Sequence, residues 1–240
     1  MKLSFIIPCY NEEKGIINLY NQFSPIVDDL LKVWDVELIF IDDGSTDGTY
    51  KLIKEHFSKY DDVKIIRHKK NLNLGSSIRN GFKVSSGDIV ITMDSDCTYN
   101  PKGIYDLINM IDDETSIVTA SPYHPKGGVN GVPPYRIFLS KRITNIYQIL
   151  TKSKIYTFTA LFRAYKKEVV KNVSFNSNDF IATAEHLIKS SLEGYKIKEY
   201  PTILHVRRFG SSKMKLFRVI VSHLKFILEV IKFRLKGNFD

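Results

Sequence analysis

The chain has 240 residues, a length that suits one α/β domain, or one domain with a short appendage. Hydrophobic residues make up 43% of it, which excludes a globally disordered protein. Two cysteines, Cys9 and Cys97, are too few for a disulfide framework, and we expect two free thiols in a reducing compartment. The net charge of +9 suits nucleic acid, an anionic membrane surface or a phosphorylated substrate, and does not choose among them.

The amino-terminal segment begins directly with a predicted strand. It has no basic leader, long apolar run or small-residue cleavage site, so we expect no signal peptide. No uninterrupted apolar stretch of about 18 residues occurs in the sequence, which predicts no transmembrane helix. Any membrane contact is therefore expected to be peripheral.

Short apolar runs rich in β-branched residues alternate with helical patterns in the first half. The predicted strands are 3–8, 36–41, 63–67, 88–93 and 116–120. The predicted helices are 12–32, 47–59, 75–85 and 101–111. This alternation predicts a mostly parallel sheet covered on both faces, whose ligands bind beyond the carboxyl ends of the strands.

Polar clusters follow the first, second and fourth predicted strands. They read PCYNEE, DDGSTDGT and DSDCTYNP. Each alone is typical of a turn. Because the carboxyl ends of parallel strands meet at one edge of the sheet, the three together predict a ligand site.

The DSD sequence places Asp94 and Asp96 two residues apart. Side chains at this spacing on an extended chain point the same way, so both carboxylates can approach one cation or bracket one nucleotide. Their oxygens suit Mg²⁺ or Mn²⁺, which usually arrive bridged to a substrate diphosphate. The alternative is a capping pair, in which Asp96 and Thr98 satisfy free amides before a helix at Pro101.

The cluster after the second strand offers further acceptors. Asp42 or Asp43 can accept hydrogen bonds from a nucleobase or ribose, and Asp47 can cap the next helix. Turn and cap chemistry alone is the alternative. A dinucleotide-binding domain would need GxGxxG after the first strand, where this chain has PCYNEEKG, so that interpretation is disfavoured.

After residue 121 the pattern changes, without a linker that would separate two domains. We predict a long loop at 121–136, a helix at 134–150, a strand, turn and helix at 157–170, a helix at 179–194 ended by Gly194, a strand at 195–205 and a basic helix at 213–236. The expected organisation is one domain, 1–212, and a C-terminal helix, 213–240, that belongs to it or lies at a membrane.

The predicted C-terminal helix combines a basic polar stripe with a wide apolar surface. The stripe contains Arg218, Ser222, Lys225, Glu229, Lys232 and Lys236. The apolar residues are Phe217, Ile220, Leu224, Leu228, Ile231 and Leu235. This pattern suits a helix in a membrane interface, and packing on the domain or a dimer contact is the alternative.

Basic residues also accompany small-residue loops in the second half, and such side chains bind phosphate well. They are Arg136, Arg163, Arg207, Arg208 and Lys213. Each alone could be a surface cation, but the group predicts anion binding.

The motifs IIPCYNEE, FIDDGSTDGT, NLNLGSSIRNG, SSGDIVITMDSDCTYNP and AEHL together resemble the family-two inverting glycosyltransferases. The second half is similar to a narrower group, the polyprenyl-phosphate glycosyltransferases such as dolichyl-phosphate mannose synthase. The residues that carry this similarity are PYHPKGGVNGVPPYRIFLSKR, TALFRAYKKEVV, GYKIKEYPT and RRFGSSKM.

The resemblance implies a GT-A fold, an α/β/α sandwich with a mostly parallel central sheet. It implies inverting hexose transfer from a GDP- or UDP-sugar to a polyprenyl phosphate, with Mg²⁺ or Mn²⁺ and without a nucleic-acid partner. The expected location is the cytoplasm, peripheral at the cytoplasmic face of a membrane.

The resemblance also implies roles for single residues. The implied nucleotide-sugar site contains Pro8, Tyr10, Glu12, Asp42, Asp43, Arg79, Asp94 and Asp96. Asp94 and Asp96 are the implied metal ligands, and Asp96 and Arg163 are expected to be catalytic. Acceptor phosphate or donor diphosphate is expected at Arg136, Ser140, Arg163, Arg208, Ser212 and Lys213.

Two other functions stay open at this point. A transferase that acts on a glycan or other hydroxyl acceptor would need a general base, for which Glu185 is the candidate. A lipid phosphate is already anionic and needs no strong base. A non-catalytic membrane- or nucleic-acid-binding protein would need neither a metal nor a nucleotide.

Overall fold

The computed structural model describes residues 1–207, 209 and 216–236. Within these residues, the apolar runs form a seven-stranded sheet and a separate pair of strands. The strands of the sheet are β1 (Lys2–Cys9), β2 (Asp35–Asp42), β3 (Val63–Arg67), β4 (Ile89–Thr92), β5 (Ile117–Ser121), β7 (Arg163–Lys166) and β8 (Ile197–Pro201). The pair consists of β6 (Gly128–Asn130) and β9 (Ile203–His205).

Helices connect most of these strands. They are α1 (Glu13–Leu30), α2 (Thr49–Phe57), α3 (Leu74–Val84), α4 (Gly103–Asn109), α5 (Pro134–Thr151), α6 (Lys167–Asn172), α7 (Ala182–Leu192) and α8 (Leu216–Lys236). α7 ends just before Gly194, whose φ of 90° confirms its predicted role as a helix stop.

The sheet has the order β3-β2-β1-β4-β7-β5-β8. Its strands pair in parallel except β7, which is antiparallel to both β4 and β5. The predicted mostly parallel α/β sheet is therefore confirmed. The chain winds outward from β1 to β3 and then returns to place β4 on the other side of β1. A crevice is expected at the carboxyl ends of β1 and β4, because the strand order reverses there.

Two predictions for the second half need correction. The predicted loop 121–136 contains a strand, β6, because Gly128, Val129 and Asn130 pair with β9. The single strand predicted at 195–205 is two strands, which separate at Thr202 and belong to different sheets. This break turns the chain from the main sheet toward the end of β4.

Two main apolar clusters form the core, and α8 contributes to the second. Phe226 and Val230 of α8 are buried there with Tyr147 of α5. The phenol of Tyr147 lies 2.7 Å from Nδ1 of His223, which ties the two helices together. The predicted domain boundary at 212/213 lies outside the described residues. Among the helices that the structure describes, none has the length and hydropathy needed to cross a membrane.

Candidate active site

The loop after β1 is fastened to the loop after β2. Asn11 adopts a left-handed conformation with φ of 51°, and its Oδ1 accepts a 2.8 Å hydrogen bond from the amide of Thr46. The amide of Glu12 donates to Oγ1 of Thr49 at 2.7 Å. These bonds hold the predicted nucleoside residues Pro8, Tyr10 and Glu12 beside the DDGST loop.

Asp42 and Asp43 are both buried and organise the loop that follows them. Oδ1 of Asp42 accepts the amide of Ser45 at 3.0 Å, and its Oδ2 lies 3.0 Å from Nε of Arg67. The N–H of Arg67 does not point at that oxygen, which has no hydrogen-bond partner in the described part of the chain. Oδ1 of Asp43 accepts a 2.8 Å hydrogen bond from the amide of Leu72 and lies 2.7 Å from Nδ1 of His68.

A cavity of about 400 Å³ lies beside these carboxylates. Its lining residues are Gly44, Ser45, Thr46, Arg67, His68 and Lys69. A Cβ on Gly44 would come within 2.5 Å of the backbone of Lys70, and its φ is 73°, so only glycine fits this close approach. Gly48 occupies the N-cap position of α2, and Asp47, predicted to cap this helix, lies one residue before it and accepts a 3.0 Å hydrogen bond from the amide of Thr49.

Asp94 and Asp96 follow β4 at the predicted crevice. Both are half-buried. Burial and the neighbouring charge of Asp96 raise the pKa of Asp94 to about 7, although Arg207 partly opposes the rise. Oδ1 of Asp96 accepts the amide of Thr98 at 3.1 Å. The capping alternative is wrong for α4, which begins at Gly103, and Asp96 instead closes a short turn on Thr98.

Arg207 completes this edge of the sheet. Its Nε lies 2.8 Å from Oδ2 of Asp96, and its Nη2 lies 3.0 Å from Oε1 of Glu12. The amide of His205 donates to the carbonyl of Thr98 at 2.9 Å, which brings the end of β9 to the DSD loop. The sequence comparison assigned anion binding to Arg208, Ser212 and Lys213, which lie outside the described residues. Arg207 belongs to the basic group that the sequence predicted to bind anions, and in the structure its partners are the carboxylates of Asp96 and Glu12.

The chemistry of this edge fits a hard divalent cation. Asp94 forms no ion pair with a cation of the described residues, and burial with the charges of Asp96 and Glu12 raises its pKa further than Arg207 lowers it. No group of three or more His, Cys, Asp or Glu side chains within the described ranges could hold a metal. Water and a substrate diphosphate would therefore supply the remaining ligands, as is usual for Mg²⁺.

The structure places Arg163, which was expected to be catalytic, in the core. Arg163 opens the interior strand β7, and its side chain is fully buried. Nε donates a hydrogen bond to Oγ1 of Thr119 at 2.8 Å. Nη1 donates to the carbonyl of Thr183 and Nη2 to the carbonyl of Phe158, both at 2.6 Å. These bonds make Arg163 a structural residue that joins three segments of the chain.

Glu185 and Arg79 are also committed to structural contacts. Glu185 is buried and accepts the amides of Asn176 and Ser177 at 3.0 and 2.9 Å, and Lys189 lies 2.8 Å from it. The candidate base therefore has no oxygen free of these donors. Arg79 donates to the carbonyl of Ser177 at 2.5 Å and to the side chain of Asn178. The structure thus fastens Arg79 to the loop at Ser177 and Asn178.

Arg136 and Ser140 lie one turn apart on α5, near its amino terminus. Both are half-buried, and residues at this spacing share one face of a helix. Burial raises the pKa of Tyr123, and a hydrogen bond with Ser140 opposes that rise. The predicted acceptor residues on α5 therefore face the loop that follows β5.

Comparison with known sequences gives consistent matches. The model of the family described as Glycosyl transferase family 2 matches residues 4–174. The chain is 35% identical over 242 aligned positions to a dolichol-phosphate mannosyltransferase from Pyrococcus furiosus, and covers 100% of itself and 66% of that protein. It is 27% identical to a polyprenol monophosphomannose synthase from Mycolicibacterium smegmatis, over 87% of this chain and 79% of the relative.

Solved structures with the same fold are similar over the whole chain. Glucosyl-3-phosphoglycerate synthase from Mycobacterium tuberculosis, in complex with Mg²⁺ and uridine diphosphate, superposes with a TM-score of 0.72 at 18% identity. The match covers 100% of this chain and 80% of that protein. At this identity the likeness shows the fold, which is the expected α/β arrangement of a GT-A glycosyltransferase.

Proposed function

The chain belongs to Glycosyl transferase family 2, and from that membership we propose that it transfers a hexose from a nucleotide-diphosphate sugar to a polyprenyl phosphate. The observation that carries the proposal is the pair Asp94 and Asp96 at the crevice between the ends of β1 and β4, where ligands of such sheets bind. The names of the two relatives support a polyprenyl-phosphate acceptor.

The proposed reaction exchanges one bond at the anomeric carbon. An oxygen of the acceptor phosphate forms a bond to this carbon on one face, while the bond to the donor diphosphate breaks on the other. The electron pair of the broken bond leaves with the nucleoside diphosphate, and the configuration inverts. Asp94 and Asp96 would hold Mg²⁺ or Mn²⁺, which supplies charge stabilisation to the leaving diphosphate.

The contacts of Glu185 favour the lipid-phosphate acceptor over a hydroxyl acceptor. A hydroxyl must lose a proton as it attacks, so it needs a positioned base. Both oxygens of Glu185 accept backbone amides, and Lys189 forms an ion pair with one of them. Arg136 and Ser140 supply a cation and a hydroxyl on α5, which suits an acceptor that is already anionic.

The nucleoside is proposed to occupy the cavity beside Asp42 and Asp43. Asp42 Oδ2 is a buried acceptor without a hydrogen-bond donor in the described residues, and the N–H group of a base could satisfy it. Pro8, Tyr10 and Glu12 are proposed to border the same nucleotide. Both uracil and guanine carry such an N–H group, so GDP- and UDP-sugars are both candidate donors.

The exposed surface of α8 supports peripheral membrane binding. The helix packs through His223, Phe226 and Val230, yet other apolar side chains remain exposed. These are Ile220, Leu224, Leu228, Ile231 and Leu235. Lys225 and Lys232 are also exposed on the helix, and cations beside an apolar surface suit an anionic lipid interface. We propose that α8 both packs on the domain and contacts the cytoplasmic face of a membrane.

A transfer assay tests the proposed reaction. The panel combines GDP- and UDP-sugars with polyprenyl phosphate and Mg²⁺ or Mn²⁺, and a parallel series replaces the lipid with glycan acceptors. We expect a lipid-linked product that alkaline phosphatase cannot degrade and that requires the metal. Transfer only to a hydroxyl acceptor would support the alternative function. The absence of both transfer and metal-dependent nucleotide binding would support a non-catalytic protein.

A liposome assay tests the membrane contact separately. Replacing Leu224, Leu228 and Leu235 by serine should weaken binding to anionic vesicles, because these side chains are 56%, 60% and 82% exposed. The matched control replaces the exposed Ile17, Leu31 and Val33, which belong to α1 and the turn after it. Equal vesicle binding by both variants would contradict the assignment of α8.

A further inference from the structure

Arg207 joins two carboxylates that belong to different loops of the site. One nitrogen reaches Asp96 after β4, and another reaches Glu12 before α1. The side chain of Arg207 is 22% exposed, while those of Glu12 and Asp96 are 6% and 11% exposed. The guanidinium therefore closes the crevice between β1 and β4 with a charge supplied by the chain itself.

This contact competes with a divalent cation for the same atom. Oδ2 of Asp96 is paired with Arg207, and Oδ1 accepts the amide of Thr98. Two cations on one carboxylate repel each other, and this repulsion is stronger in a partly buried site than in water. A metal that binds Asp96 must therefore displace Arg207 or draw it to another anion.

The location of Arg207 allows such a displacement. It follows β9, which pairs with β6 over three residues and stands apart from the main sheet. Movement of Arg207 therefore requires no change in the register of β1, β2 or β4. A guanidinium also suits either partner, because its planar fork binds carboxylates and phosphates with similar geometry.

We propose that Arg207 is an internal counter-ion, or lock, that pairs with Asp96 and Glu12 and is exchanged when the metal and nucleotide bind. Before they bind it neutralises both carboxylates. In the loaded site the metal takes Asp96, and Arg207 pairs with an anionic group of the ligand. This inference rests on the proposed metal-dependent function.

The exchange predicts that one substitution changes the affinity for Mn²⁺ without nucleotide but not with it. Arg207→Gln removes the competing charge, so Mn²⁺ alone should bind about tenfold tighter than in the original chain, as expected from losing one charged hydrogen bond. With UDP or GDP present this gain should disappear, because the variant also lacks the cation that pairs with the ligand. Arg207→Lys should give an intermediate affinity, since an ammonium cannot span both carboxylates.

Electron paramagnetic resonance of free Mn²⁺ measures both affinities without a transfer assay. Lys196→Gln is the matched control, because it removes one positive charge from an exposed pair with Glu114. Circular dichroism verifies folding, and Arg207→Lys provides the comparison if Arg207→Gln does not fold.

Two results would overturn the proposed lock in different ways. If Mn²⁺ binding depends on Asp96 but the Arg207 variants bind it like the original chain, Arg207 is no competitor and the proposed function still stands. If Asp96→Asn leaves Mn²⁺ binding unchanged in the original chain and in the Arg207 variants, Asp96 is not a metal ligand and the lock fails with it.

Discussion

Two buried carboxylate sites stand at opposite ends of the same sheet. Glu37, near the amino end of β2, has a fully buried side chain. It accepts hydrogen bonds from Oγ of Ser4 at 2.5 Å and from the amide of Ser86 at 2.9 Å, and it forms an ion pair with Lys64. Although burial alone would raise its pKa, these bonds lower the pKa of Glu37 to about 2. At the other end, burial and Asp96 raise the pKa of Asp94 to about 7.

The difference between the sites lies in the donors that the fold provides. Burial disfavours the charged form of any carboxylate, and hydrogen bonds or cations reverse that effect. The chain surrounds Glu37 with its own donors, so this carboxylate is complete without a ligand. At Asp94 a backbone hydrogen bond and the charge of Arg207 do not offset burial and the neighbouring carboxylates, and an external cation would complete that site. The pKa shifts thus separate a structural carboxylate from one suited to ligand binding.

The largest expected effect belongs to the ligand-binding end. Asp96→Asn should lower the transfer rate by about three orders of magnitude, because charge on the leaving diphosphate loses its stabilisation. The free energy of unfolding should change little, because the weaker contact with Arg207 is offset by the lost repulsion from Asp94, and the side-chain carbonyl can still accept a hydrogen bond from the amide of Thr98. Transfer kinetics and urea unfolding measure the two quantities. Asp112→Asn, at an exposed carboxylate paired with Lys198, is the control. Transfer within tenfold of the original rate would contradict the assignment of Asp96.

The opposite pattern is expected at the structural end. Glu37→Gln should lower the free energy of unfolding by about 2 to 3 kcal/mol, because an amide cannot accept from all the donors that now surround the carboxylate. The transfer rate of the folded variant should stay unchanged. Urea unfolding and initial rates at saturating substrate test this separation. A large loss of rate in a stable variant would break the comparison.

The contribution of Glu37 should also depend on pH. Its pKa is about 2 in the folded state and ordinarily 4.5, so the unfolded chain binds more protons between these values. Its stabilisation is complete above pH 4.5 and is lost as the pH falls toward 2. The stability difference between the original chain and Glu37→Gln should therefore shrink over that range. His186, whose pKa is lowered to about 3 by burial, also destabilises the fold in acid but cancels in this difference.

The sequence was sufficient for a mostly parallel sheet and for the convergence of three polar clusters at one of its edges. The apolar runs and the clusters PCYNEE, DDGSTDGT and DSDCTYNP predicted one edge of the sheet, and the structure places all three there. Parallel order makes this possible, because strand ends converge whatever the details of packing. The position of β9 was not predictable in the same way, since three residues that pair with β6 carry no distinctive pattern.

The roles of single charged residues were harder to predict because a sequence does not show which donors surround a side chain. Arg163 stands in the segment TALFRAYKKEVV, which carries the resemblance to the polyprenyl-phosphate group, yet its nitrogens bond to Thr119, Phe158 and Thr183 in the core. Glu185 is likewise satisfied by amides eight and nine residues earlier in the chain. Arg207 was predicted only as one of a group of anion-binding cations, because its pairing with Asp96 depends on the fold.

The smallest expected effect is a gain in stability at the ligand-binding end. Asp94→Asn should raise the free energy of unfolding at pH 8 by about 1 kcal/mol, because it removes a charge that the folded state tolerates poorly. The pKa of Asp94 is about 7 in the folded state and ordinarily 3.8, so the folded state binds more protons than the unfolded chain between these pH values. The ionised carboxylate therefore becomes destabilising as the pH rises. The gain should therefore be small at pH 4, and Asp113→Asn, at an exposed carboxylate, should show none.

Mn²⁺ with a nucleoside diphosphate should make the original chain more stable than Asp94→Asn, because ligand binding stabilises only the protein that keeps the site. Lower stability of Asp94→Asn at pH 8 would mean that the fold itself satisfies Asp94, as it does Glu37.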